Sequence, residues 1–140
     1  MQLTGADISA KMLDRAKRSA ERLGIGAMLD VADIQHLPYE DSSFDTVCAT
    51  CVFCSVADPI AGLREVGRVT RHDGQVLLLE HVRPRNRVLG WLADRLSPVV
   101  SRLFGPEINR RTEDNVAAAG LEVVELRRRG VWREIVARPS

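Results

Sequence analysis

Short apolar runs alternate along the chain with amphipathic stretches, the pattern of parallel strands joined by crossover helices. Residues 3–8 predict a short strand. Ser9 then caps a helix in which Met12, Leu13, Ala16, Ala20 and Leu23 form one stripe, while Lys11, Asp14, Arg15, Arg18 and Arg22 face water. Gly24 closes that helix, and Ile8 before the cap suits a hydrophobic staple on Leu13. Residues 27–31 and 44–50 predict two further strands, separated by a loop over 32–38 and a turn over 40–43. Asp58 followed by Pro59 opens a second helix, with Ile60, Leu63, Val66, Gly67 and Thr70 on one face up to an Asp73-Gly74 turn. The run Val76-Leu77-Leu78-Leu79 is too short for a helix and predicts a strand buried on both faces of a parallel sheet.

After Val82 the rhythm changes. Asn86 caps a helix whose apolar residues, from Val88 to Phe104, cover well over half its girth, and Pro98 kinks or splits it. Thr112 begins a short helix closed by Gly120, and strands over 121–127 and 132–137 follow, joined by an arginine-rich turn before Gly130. The elements give an α/β class, a mostly parallel sheet with flanking helices, in a single domain over 1–140 without repeats or linkers.

Composition narrows the function classes. The 140 residues are 45% hydrophobic and 28% charged, with a net charge of +1, as expected of an ordinary soluble domain. No segment approaches the roughly 18 uninterrupted apolar residues of a membrane span. The first residues offer neither a basic nor an apolar signal region, so a cytoplasmic protein is expected, whose three cysteines are thiols. Residues 1–80 hold 8 basic and 12 acidic groups, and residues 81–140 hold 12 basic and 7 acidic. That cationic second half lacks the interleaved aromatics of a nucleic-acid protein, aromatics being only 4%, so no nucleic-acid partner is expected.

Ligands of an open parallel sheet collect at the carboxyl ends of its strands, which directs attention to Asp7, Asp33, Thr50 and Glu80-His81. A carboxylate at the position of Asp7 can accept both hydroxyls of a ribose. Asp7 alone is more simply explained as part of the helix cap with Ser9. Several segments together go further. Gly5-Ala6-Asp7-Ile8-Ser9, Ala32-Asp33-Ile34-Gln35-His36-Leu37-Pro38-Tyr39, Ser43-Phe44-Asp45-Thr46-Val47, Val56-Ala57-Asp58-Pro59 and Gly74-Gln75-Val76-Leu77, with Leu79-Glu80-His81-Val82-Arg83-Pro84, occur in order. This series resembles the class I methyltransferases that use S-adenosylmethionine, of the Rossmann-like fold. Within them it is most similar to the quinone-biosynthesis methyltransferases and a branch of membrane-associated thiol methyltransferases, and the likeness extends over essentially the whole chain.

The resemblance implies S-adenosylmethionine as cofactor, with Asp7 on its ribose hydroxyls, Ile8 on its adenine, Asp33 on the adenine amino group and Ile34 adding a backbone N–H and apolar contact. Thr50 would face the methionine arm, and Cys51 the incoming acceptor, a small and fairly apolar quinone precursor, lipid or thiol. These enzymes open with a strand and a GxGxG turn, which do not occur here: Gly24-Ile25-Gly26 follows a helix where the motif must follow a strand. The expectation is therefore a domain truncated before the family's second strand. Loss of a central strand would leave two unpaired inner edges, open to self-association, with a non-catalytic, associating protein as the alternative function.

Other constellations admit plainer readings. Cys48, Cys51 and Cys54 are spaced CxxCxxC, yet side chains alternate along a strand, so Cys51 would face away from the other two, and no metal is expected. His81 could serve as a general base for the acceptor, or be a structural histidine satisfied by backbone groups. Residues 83–111 read as a lid or specificity insertion. Residues 86–104, with arginines among apolar residues, also suit peripheral membrane contact or simple packing on the sheet. Arg127-Arg128-Arg129 reads as a solvated turn.

Overall fold

The computed structural model describes residues 2–81, 112–130 and 132–140. The helix expected from Asn86, and with it the lid and membrane-contact expectations for 83–111, lies outside the described residues. The chain forms two compact units, Met1–Pro38 and Tyr39–Ser140.

The first unit is a β-α-β crossover. Strands β1 (Leu3–Asp7) and β2 (Ala27–Val31) pair in parallel, with Leu3 opposite Ala27 and Asp7 opposite Val31. Helix α1 (Ala10–Leu23) joins them, and its ends follow the chemistry of the sequence. The Ser9 hydroxyl oxygen accepts the Met12 N–H at 3.4 Å. At the other end Gly24 takes a left-handed φ of 67°, its N–H bonding Glu21 O at 3.1 Å while the Ile25 N–H bonds Ala20 O at 2.9 Å. That is the doubled closure only a residue without a Cβ adopts cheaply. The expected stripe is hardly buried: of α1 only Leu13 is, whereas Met12 and Leu23 are exposed. Ile8 is 73% exposed, so the staple on Leu13 is not made. Two strands offer too narrow a surface to cover the apolar side of a fourteen-residue helix.

The second unit carries the core. Its sheet has the order β3 (Phe44–Thr50), β4 (Thr70–His81), β6 (Trp132–Pro139), β5 (Leu121–Arg129). Strands β3 and β4 run parallel, β6 is antiparallel to β4, and β5 is antiparallel to β6. Helix α2 (Pro59–Val69) begins where expected, with the Asp58 carboxylate accepting the Ile60 and Ala61 N–H groups at 3.0 Å. It stops at Val69 and not at the Asp73-Gly74 turn. Thr70 is already extended, its hydroxyl donating to Val66 O at 2.7 Å, and β4 starts there. Leu63, Val66 and Val69 of α2, Val76 and Leu78 of β4, Ile135 and Ala137 of β6, and Val116 of the short helix α3 (Thr112–Ala118) are buried together with Phe53.

Two strand expectations need correction. The run Val76 to Leu79 is not buried on both faces: Val76, Leu78 and Glu80 are buried, Leu77 is half-buried and Leu79 exposed. Alternation sends successive side chains to opposite faces, and of the described residues those on the Val76, Leu78 and Glu80 face are the buried ones. Arg127, Arg128 and Arg129 are not in a turn but on β5, where Arg127 pairs with Glu125 at 2.6 Å and Arg129 with Glu134 at 3.5 Å. The hairpin turns at Gly130, φ 63°, and the buried Arg133 fixes it by donating from Nη1 to Gly130 O at 2.7 Å and Trp132 O at 2.8 Å.

Candidate functional site

In the first unit the acids expected at strand ends emerge side by side. The register sets Asp7 opposite Val31, so β1 and β2 end level, and the Ala32 N–H donates to Asp7 O at 3.2 Å. Asp33 follows two residues after β2. The Asp7 carboxylate accepts the Ser9 N–H through Oδ1 at 2.8 Å. Among the described residues its Oδ2 has no hydrogen-bond partner. Asp33 is closed more tightly: Oδ1 accepts the Gln35 N–H at 2.9 Å and Gln35 Nε2 at 3.1 Å, and Oδ2 accepts Nε2 at 3.1 Å. The Gln35 backbone N–H, its side chain and the nearby His36 hold the Asp33 carboxyl below its ordinary 3.8 against a small effect of burial. Each carboxylate oxygen has about two acceptor positions, so among the described residues Asp33 keeps one on Oδ2 and Asp7 keeps three. Ile34 is half-buried and Ile8 exposed.

In the second unit β3 ends at Thr50, which is exposed. Cys51 follows in a left-handed conformation, φ 53°, with its N–H on Leu79 O at 2.9 Å, one step beyond the pairing of Thr50 with Leu79. Where that ladder stops, Glu80 takes over. Its side chain is fully buried, and Oε1 accepts the Val52 N–H at 3.1 Å and the Phe53 N–H at 3.2 Å. Among the described residues its buried Oε2 has no hydrogen-bond partner. Desolvation pushes the Glu80 carboxyl above its ordinary 4.5, with the Phe53, Val52 and Cys54 backbone groups opposing. Burial also pushes the Cys51 thiol up, helped by Cys54 and Glu80.

Thus Asp7, Ile8, Asp33 and Ile34 lie in one unit and Thr50 and Cys51 in the other. The backbone of His81 ends β4 opposite Trp132; its side chain lies outside the described residues. The cysteines do not share a strand, since β3 stops at Thr50 and the argument from alternation stops with it. Cys48 is exposed on β3, while Cys54 is buried in the following turn with Sγ on Cys51 O at 3.3 Å. Among the described residues no three His, Cys, Asp or Glu side chains are placed to hold a metal. Glu80 is a strand-end residue that the sequence singles out without giving it a role in the site. Its signal was an acid closing an apolar run, but its partners lie 27 and 28 residues away.

Residues 1–78 match the family described as Methyltransferase domain. The chain is 37% identical over 90 residues to the ubiquinone/menaquinone biosynthesis C-methyltransferase of Bdellovibrio bacteriovorus, covering 64% of this chain and 38% of that protein. It is 36% identical over 110 residues to the demethylmenaquinone methyltransferase of Lactobacillus johnsonii, covering 75% and 45%. The chain thus spans about two-fifths of the length of these curated relatives. Its fold is similar to that of a solved S-adenosylmethionine-dependent methyltransferase of Methanosarcina mazei, with a TM-score of 0.78, 19% identity, and coverage of 99% of this chain and 82% of that one.

Proposed function

We propose, on the premise that the chain belongs to the methyltransferase-domain family, that it is a class I S-adenosylmethionine-dependent methyltransferase of the quinone-biosynthesis branch, serving methyl transfer to a small, fairly apolar acceptor of the quinone-precursor class. The observation that carries this reading is the pair of acids where two adjacent parallel strands end level, Asp7 closing β1 and Asp33 two residues past β2, with Oδ2 of Asp7 open and one acceptor position left on Asp33 among the described residues. The donor set fits the cofactor. Asp7 offers paired acceptors to the ribose diol, Asp33 a remaining lone pair to the adenine amino group, and Ile8 and Ile34 apolar surface to the ring. Bound there, S-adenosylmethionine supplies a sulfonium methyl group for direct displacement. Thr50 is assigned to the methionine arm and Cys51 and His81 to the acceptor side. The Cys51 thiol, pushed up by burial, stays protonated near neutral pH and so contributes shape and not a competing nucleophile.

Calorimetric titration of the folded chain with S-adenosylmethionine tests the reading. Saturable binding supports it, and no binding by a chain shown to be folded by circular dichroism overturns it. Association with a second chain is the other reading, favoured by strands β1 and β3, each of which pairs on one side only among the described residues. A stable folded monomer in sedimentation would count against it.

A further inference from the structure

Strand β4 runs Val76, Leu78, Glu80 along its buried face, and at the third of these positions a carboxyl group stands where an aliphatic side chain would be cheaper to bury. What it does there is local. The β3–β4 ladder ends with Thr50 opposite Leu79 and the Cys51 N–H on Leu79 O. The chain then has to turn through a left-handed residue that is not glycine, a conformation that persists only when its surroundings enforce it. The next two N–H groups, those of Val52 and Phe53, are directed inward with Phe53 fully buried, and they no longer have a strand to pair with. Glu80 Oε1 receives both, at 3.1 and 3.2 Å.

We infer that Glu80 is a positioning residue: its buried carboxyl group clamps the Val52 and Phe53 N–H groups and thereby fixes the turn that presents Thr50 and Cys51 at the carboxyl end of β3. The inference rests on the reading of that end as the methionine-arm and acceptor side. The clamp needs an acceptor oxygen, not a charge. Among the described residues only Oε1 accepts hydrogen bonds while the buried Oε2 has no hydrogen-bond partner, an arrangement that suits a neutral acid accepting through its carbonyl oxygen. A glutamine carries that carbonyl in the same place. Leucine fills the volume without it and strands the buried Phe53 N–H and the part-buried Val52 N–H.

The test compares Glu80→Gln and Glu80→Leu with the wild-type chain, following amide hydrogen exchange at Val52 and Phe53 and calorimetric affinity for S-adenosylmethionine. Glu80→Gln is expected to stay within about threefold of wild type in both. Glu80→Leu is expected to lose about tenfold or more in both, as follows when hydrogen-bond partners of buried groups are removed, with protection at Leu78 and Ile135 retained. Val69→Ala serves as a control that lowers overall stability without touching the clamp, and its affinity should not change. Should Glu80→Leu fail to fold, Glu80→Asp withdraws the acceptor by one carbon and is expected to give the same local loss. A folded Glu80→Leu that matches wild type overturns the inference, as does a Glu80→Gln that fails as badly as Glu80→Leu. A wild-type chain that binds no S-adenosylmethionine overturns the methyl-transfer reading and the positioning role with it, whereas binding that survives in Glu80→Leu overturns the positioning role alone.

Discussion

The Asp7 carboxylate accepts the Ser9 backbone N–H through Oδ1 at 2.8 Å, so the acid at the end of β1 also steadies the residue that caps α1. The cap role and the proposed ribose role are therefore compatible, because the cap engages Oδ1 and leaves Oδ2 open among the described residues. They can be separated. Asp7→Asn keeps a carbonyl oxygen for Ser9 but gives up the carboxylate, and is expected to leave helix content unchanged while weakening S-adenosylmethionine binding by about 1–3 kcal/mol, the value of hydrogen bonds to a charged group. Asp7→Ala should lose the cofactor contacts and, in addition, about 1 kcal/mol of stability. Calorimetry with urea unfolding reads both, and an Asp7→Asn chain that binds like wild type removes Asp7 from the site.

What the sequence displays and what it hides divide by distance along the chain. Ser9 and Gly24 around α1, and Asp58-Pro59 before α2, act on groups two to four residues away, so the pattern shows them directly. Asp7 and Asp33 were legible for a similar reason: a strand end is a local event. The end of α2 was not, because Thr70 continues the helical face yet satisfies its hydroxyl on Val66 O while its backbone is already extended. Arg127 and Arg129 read as a solvated turn because the pairs that keep them in β5 include a residue on the neighbouring strand, Glu134. The clamp by Glu80 depends on groups 27 and 28 residues off, which become neighbours only when β3 and β4 pair.

Arg68 ties α2 to the loop before β3. Its Nε and Nη2 donate to the two oxygens of Glu65 at 2.7 and 2.8 Å, while Nη1 donates to Asp41 Oδ1 at 2.6 Å and to Tyr39 O at 2.8 Å. Only a planar fork reaches all of these at once, so lysine is not a conservative replacement. Arg68→Lys is expected to cost about 1–2 kcal/mol in urea unfolding, chiefly through the lost two-pronged contact and the Tyr39 carbonyl. Asp41→Ala, whose carboxylate is well exposed, should cost no more than about 0.5 kcal/mol. Equal effects of the two would show that the exposed pair, not the fork, is what matters.

Gly74 sits where the pairing of β4 with β3 slips, between Thr70 opposite Phe44 and Gln75 opposite Thr46. A Cβ there would lie 2.7 Å from Asp45 O and 3.0 Å from Arg71 O, both backbone atoms that cannot swing aside. Gly74→Ala should therefore destabilise by about 1–3 kcal/mol, the usual range for forced overpacking. At Gly26 nothing lies within 4 Å of the corresponding position, and its φ is not positive. Gly26→Ala should be neutral or stabilising by up to about 1 kcal/mol, because the added Cβ restricts the unfolded chain. Chemical denaturation of the two variants side by side distinguishes close approach from a general intolerance of alanine.

Burial leaves a signature of Glu80 in the pH dependence of stability. Its carboxyl is raised above the ordinary 4.5 by desolvation, against the backbone N–H groups of the turn after β3, and among the described residues the titratable group coupled to it is the Cys51 thiol. A carboxyl whose pKa is higher folded than unfolded takes up a proton on folding, so the folded chain binds more protons than the unfolded one between the two values. Its contribution is fully present below about 4.5 and is lost as pH rises through the raised folded value. Glu80→Gln cannot titrate and should be flat across that interval. The difference in unfolding free energy between wild type and Glu80→Gln is therefore expected to move in favour of the glutamine variant as pH rises from about 4 toward 8, the thiols of Cys51 and Cys54 being present in both. A difference that stays constant over the range would show that the Glu80 carboxyl does not change its affinity for protons on folding, and that its second oxygen finds a partner in solution.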